Sequence, residues 1–139
     1  MGKVVILIFI INSLLIGSVA IVKKTTGKVE VKRKKNIIKI KVGTTLENGD
    51  IIMTKAESSI GIIFDDGTLL SLGSKSIFVI NKFKVKPSKK EYNVDLELKK
   101  GKAMFSSGKI GKISPKSVKI RVPEGIIGIR GTQLIIEVR

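Results

Sequence analysis

The stretch that decides the fold is VKIRVPEGIIGIRGTQLIIEV, residues 118–138. Two apolar runs flank a segment with glycine at three-residue spacing: Gly125, Gly128 and Gly131. In the first run Val118, Ile120 and Val122 alternate with Lys119 and Arg121, the period of a strand buried on one face. The segment between the runs is too short and too rich in glycine to be a helix, so each run is expected as a strand. The stretch contains no nucleophile, general base or metal ligand set, which turns the reading away from an enzyme.

The same alternation extends back through the chain. Val29 and Val31 alternate with Lys28, Glu30 and Lys32; Ile38, Ile40 and Val42 with Lys39 and Lys41; Val94, Leu96 and Leu98 with Asn93, Asp95 and Glu97. Tight-turn sequences separate the runs: Asn48-Gly49-Asp50 and Asp65-Asp66-Gly67-Thr68. Strands are expected at 27–33, 37–42, 51–54, 58–64, 68–72, 76–83, 92–98, 102–106, 117–122 and 132–138. About nine or ten short strands at such spacing predict an all-β domain, a sandwich or a β-solenoid-like wrap.

The N-terminus reads differently. Residues 4–22, VVILIFIINSLLIGSVAIV, hold no charge and approach the length that crosses a bilayer. One lysine precedes the run, and Ser18-Val19-Ala20 offers small residues for cleavage after Ala20. A cleaved signal peptide and an uncleaved anchor helix both stay open. The division is therefore 1–22 as signal peptide or membrane anchor and 23–139 as the β domain. Basic residues crowd the downstream flank, from Lys23 to Lys35, against the positive-inside rule for export. The short basic start, apolar core and small-residue exit nonetheless favour export.

Composition narrows the chemistry. The 139 residues contain no His and no Cys, which excludes imidazole triads, thiol nucleophiles and the usual zinc sites. The formal net charge of +16 suits an anionic surface. Five Phe and one Tyr are few for stacking bases, so nucleic acid is not the expected partner.

The remaining motifs read as structure. Asp65 and Asp66 are adjacent in an Asp-Gly turn and point apart, unlike two carboxyls converging on a substrate. Ser106-Ser107-Gly108-Lys109 matches a Ser-x-x-Lys pattern, but Gly108 and Gly111 are expected to break the helix that such chemistry needs. The glycines at 125, 128 and 131 lack the Lys-Ser/Thr and the following helix of a phosphate loop. They are expected to permit positive φ or a close backbone crossing. The basic run Lys32-Arg33-Lys34-Lys35, at a strand-to-strand corner, is the candidate contact for an acidic partner, glycan or lipid. Arg130, between glycines, is the second candidate, its fork suited to exposed carbonyls or a carboxylate.

Taken together from Gly27 onward, the motifs resemble the FecR-type domain, a periplasmic all-β module of bacteria. The resemblance rests on Gly27-Lys28-Val29-Glu30-Val31, on residues 42–54 around Gly49 and Asp50, and on residues 58–68 around Asp66 and Gly67. It continues through Leu96-x-Leu98-x-x-Gly101 and closes at Ile127-Gly128-Ile129-Arg130-Gly131-Thr132. It implies a periplasmic or envelope location, with inner-membrane anchoring if the first segment is retained. It also implies binding to another envelope component, or a part in cell-surface signalling. The family's membrane-spanning regulators carry a cytoplasmic anti-sigma portion, whereas three residues precede the apolar segment here, so a lone FecR-type domain is expected. The expectation is thus a non-enzymatic binding protein with no catalytic residue, metal or cofactor. The alternative is an electrostatic binder of envelope polyanions such as lipopolysaccharide or acidic glycan, or, further off, of nucleic acid.

Overall fold

The computed structural model describes residues 17–130 and 133–139. The expected N-terminal helix, together with Gly131 and Thr132 of the closing motif, lies outside the described residues. The strands are β1 (Ser18–Thr26), β2 (Val29–Arg33), β3 (Asn36–Lys39), β4 (Thr45–Glu47), β5 (Ile51–Thr54) and β6 (Ser59–Phe64). They continue as β7 (Leu69–Leu72), β8 (Ile77–Lys86), β9 (Glu91–Ser106), β10 (Val118–Val122), β11 (Gly125–Ile127) and β12 (Gln133–Val138). One short helix, α1 (Lys109–Ile113), and two single 3-10 turns interrupt them. Among the described residues no helix is long and apolar enough to cross a membrane.

The fold is all-β, as the alternation predicts, but it is neither a two-sheet sandwich nor a solenoid. The strands form one sheet in the order β3-β2-β5-β8-β9-β7-β6-β1-β4, curled into a half-barrel. β10 and β12 join the free side of β9, and β11 pairs with β10. Register follows the alternation. Val31 stands opposite Ile52, Ile52 opposite Phe78 and Phe78 opposite Leu98, so apolar residues of four strands share the inner face. From the other half Ile62, Leu70 and Phe105 line up in the same way and meet them in one core.

β9 joins the two halves. Its first part pairs with β8 and β10, its last part with β7 and β12. The sequence reading breaks this strand at Gly101, yet the ladder runs through. Gly101 takes φ 99 and bends the strand, and a Cβ there would lie 2.5 Å from the Cα of Ser76. The fully buried Ser76 hydroxyl accepts from Lys102 N at 3.0 Å and donates to the carbonyl of Gly73 at 3.0 Å, holding the bend. Only glycine fits both the dihedral and the contact.

Three expectations are corrected. Residues 18–22, assigned above to the apolar segment, begin β1. Val19, Ala20 and Val22 are buried, and Ala20 stands opposite both Leu46 and Phe64. Residues 109–113 form α1 despite Gly111, because the helix is a single turn tethered from outside. Gly125 lies in β11 and Gly128 just beyond it, and a Cβ at either would meet nothing within 4 Å. Gly125 takes the expected positive φ, at 156, but neither glycine marks a close crossing.

Candidate functional site

Each expected site residue has a definite place. Lys32 ends the outward row of β2, and Lys34 and Lys35 form the exposed tip of the β2–β3 hairpin, with Lys34 at φ 58. Arg33, in the same run, is turned to structural use. Its Nε donates to Asp50 Oδ1 at 2.9 Å and its Nη2 to Asp50 Oδ2 at 2.8 Å. Nη2 also donates to the carbonyl of Thr45 at 3.1 Å, and Nη1 lies 2.9 Å from Glu47 Oε2. β2 lies near one end of the curled sheet and β4 at the other, so Arg33 clamps the two ends together across the opening. The Asp50 hydrogen bond, against partial desolvation, raises the Arg33 pKa further.

Asp50 is wholly buried, and besides Arg33 it accepts from Glu47 N at 2.8 Å. The local bond is the turn function that the sequence suggests; the ion pair comes from a residue 17 positions away. Gly49 and Gly67 occupy the two expected turns at φ 92 and 87. Asp66, also buried, closes its own turn by accepting from Thr68 N at 2.9 Å. Its other oxygen accepts from Ile110 N at 3.0 Å, which tethers α1. The backbone approaches closely here: a Cβ on Gly108 would stand 2.3 Å from the Asp66 carbonyl oxygen. The close crossing expected around Gly128 is therefore found at Gly108.

Arg130 is exposed and makes no hydrogen bond to another described residue. It borders a hollow of about 300 Å³ shared with Ser107, Lys112 and Ile129. The arginine fork that does bind a carboxylate is Arg121. Its Nε and Nη2 each donate to Asp95, both at 2.8 Å, across the parallel β9–β10 pairing. The Arg121 hydrogen bond holds the Asp95 carboxyl below the usual range, against some desolvation. The sequence reading missed this pair because both residues fall at outward strand positions, where only register reveals who faces whom.

Two surface features stand out. The first is an apolar stripe on the solvent face of the sheet. Ile135 on β12 stands opposite Met104 on β9; Leu69 on β7 lies diagonal to Met104; Leu69 faces Ile63, which faces Ile21 on β1. Ile135 is 64% exposed, Ile21 46% and Met104 45%, high values for adjacent large apolar side chains. The stripe ends on β12, which among the described residues pairs with β9 alone.

The second feature is a polar cleft of about 400 Å³ lined by Gly17, Ser18, Asn48, Asp65, Lys82, Lys84 and Lys86, with Phe83 at its base. The Asn48 side chain accepts from Phe83 N at 2.8 Å, and Phe83 stacks on Phe64 with centroids 4.3 Å apart, so Phe83 is held through both its backbone and its ring. Asp65 is exposed on the whole, yet partial burial of its carboxyl, with Asp66 alongside, raises its pKa. Among the described residues no three His, Cys, Asp or Glu gather as a metal-binding group.

With this geometry in view, the comparisons place the chain. The family model described as FecR protein matches residues 50–139. The chain belongs to the FecR family. That match takes in the Asp66-Gly67 turn, the bent β9 and β12, while the resemblance noted over residues 27–49 lies ahead of it. FecR domains are associated with cell-surface signalling and typically lie on the envelope or periplasmic side. Searches of curated proteins and of solved structures return no match.

Proposed function

We propose that this FecR domain is a non-enzymatic envelope module that binds another envelope protein and takes part in cell-surface signalling. The observation that supports it is the apolar stripe from Ile21 to Ile135 ending on β12, whose far edge is unpaired among the described residues. A strand added to β12 would satisfy its free backbone groups, and side chains on its outer face would cover Ile135 and Met104. Affinity would come from the ladder and specificity from the stripe.

The alternative of a polyanion site at the basic corner has weaker support. Arg33, the cation best suited to bidentate recognition, is already bonded to Asp50, Glu47 and Thr45, which leaves Lys32, Lys34 and Lys35 as separate point charges.

The test is a photo-crosslinking amino acid at position 135 or 104 of the full chain, expressed in its native cells. Discrete adducts with one other envelope protein are expected from both positions, none from position 55 outside the stripe, and none after Ile135→Lys in the position-104 protein. Recovery of the chain wholly in the cytosol, absence of adducts, or adducts of two copies of this chain would overturn the reading.

A further inference from the structure

Where the apolar N-terminal run joins the fold, there is no linker. Gly17 is followed at once by Ser18, the first residue of β1, and Ser18 is already registered opposite Glu47. The uncharged run ahead of β1 is therefore residues 4–17 and not 4–22. Fourteen residues fall short of the roughly 20 that a hydrocarbon core takes. A run that short holds a domain only if the domain sits against the headgroup layer.

The end of the domain beside Gly17 is rich in lysine. Lys82, Lys84 and Lys86 line the same cleft as Gly17 and Ser18. β8 then runs on into the turn that carries Lys89 and Lys90, the latter at φ 53. The Glu47 carboxylate lies 3.5 Å from the position of a Cβ on Gly17 and pairs with Arg33, which places the Lys34–Lys35 tip at this end too. The acids here are largely committed: Glu47 to Arg33 and Glu91 to Lys84. Asp65 is the remaining carboxylate in the cleft. Lys82 and Lys86 have no carboxylate within ion-pair distance among the described residues. Meanwhile Lys28, close to Gly17 in sequence, is carried about 30 Å away along β1.

We infer that this lysine-rich end is a membrane-apposition surface: the apolar run is retained in the bilayer, and Lys82, Lys86, Lys89 and Lys90 take the phosphate headgroups of anionic phospholipid. Cleavage after Ala20 would remove Val19 and Ala20, both buried, and most of the β1–β4 pairing, so retention also keeps the fold whole. Headgroup contact at this end orients the sheet away from the membrane and leaves the β12 edge reachable by a partner. The inference rests on the envelope location proposed above.

The test uses the full chain reconstituted into vesicles of phosphatidylcholine, with or without phosphatidylglycerol. After a carbonate wash and flotation, lysines are pulse-labelled with a membrane-impermeant amine reagent and read by mass spectrometry. Labelling of Lys82, Lys86, Lys89 and Lys90 relative to Lys55, Lys75 and Lys100 should slow about fivefold in phosphatidylglycerol vesicles alone. High salt should remove the difference. In the Lys82→Ser/Lys86→Ser variant, Lys89 and Lys90 should label faster while flotation persists. Equal labelling at both ends of a floating chain, equal protection in pure phosphatidylcholine, or the same protection from inorganic phosphate in detergent would overturn the headgroup assignment and leave the envelope reading standing. A chain isolated from its native cells starting at Ile21, or one that floats with neither vesicle, would overturn the inference through its anchor; recovery in the cytosol would bring down the envelope reading as well.

Discussion

Arg33–Asp50 and Arg121–Asp95 are nearly the same object in two settings. Each is an arginine fork bonded through Nε and Nη2 to both oxygens of one aspartate at 2.8–2.9 Å. The surroundings differ. Asp50 is 0% exposed and lies where the two ends of the curled sheet meet, whereas the Asp95 side chain is 21% exposed and its Arg121 partner 40%. Equal geometry therefore does not mean equal worth. A buried carboxylate that loses its cation cannot turn to water, while an exposed one can. Asp66 adds a third case, a buried carboxylate satisfied by Thr68 and Ile110 amides and, among the described residues, by no cation.

The largest effect expected is at the clamp. Arg33→Ala should destabilise the domain by about 3 kcal/mol in urea unfolding, because Asp50 is left charged and unpaired. Arg33→Lys should recover less than half, since an ammonium cannot span both oxygens and Thr45. A cost below that of Arg121→Ala would break the comparison. Next comes Asp66→Ala, expected to cost about 2 kcal/mol through two unsatisfied amides. Asp66→Asn keeps one acceptor and should fall between Asp66→Ala and the wild type.

Smaller still is the exposed fork: Arg121→Ala should lower the urea midpoint less than Asp66→Ala does, and less again in high salt. Its signature is in pH. Asp95 has a folded pKa below its unfolded one, so its contribution is present above the unfolded value and is lost as pH falls through the folded value. The acid limb of the stability profile should therefore be shallower in Arg121→Ala. Asp65 has the opposite sign. Its folded pKa is raised, so its cost appears as pH rises through that value. Asp65→Asn should raise the unfolding midpoint slightly at neutral pH and leave it unchanged below the ordinary aspartate range.

How far residues could be read in advance depended on the range of the interactions they make. The turn at Gly49, the hairpin around Gly67 and the strand Ile51–Thr54 fall where the alternation and turn sequences place them. β1 was hidden because its first half merges into an uninterrupted apolar run, which shows no period of two. α1 was hidden because its support comes from the Asp66 carboxylate, 44 residues away. Of the candidate contacts, the three lysines of the basic corner are exposed as expected, while Arg33 is bound internally and Arg130 touches no described carboxylate. The Lys82–Lys86 cleft was invisible, since β8 and Gly17 meet only in space.

Alternation of side chains and the chemistry of turn residues are local, so the amino-acid sequence alone determined an all-β chain, most of its strands and its membership of the FecR family. Closure was not local. The bend of β9 at Gly101, the union of β2 and β4 through Arg33, and the gathering of lysines around Gly17 each depend on register between distant strands. Register is set by the whole core at once, and only the tertiary structure decided which charge became a clamp and which stayed exposed.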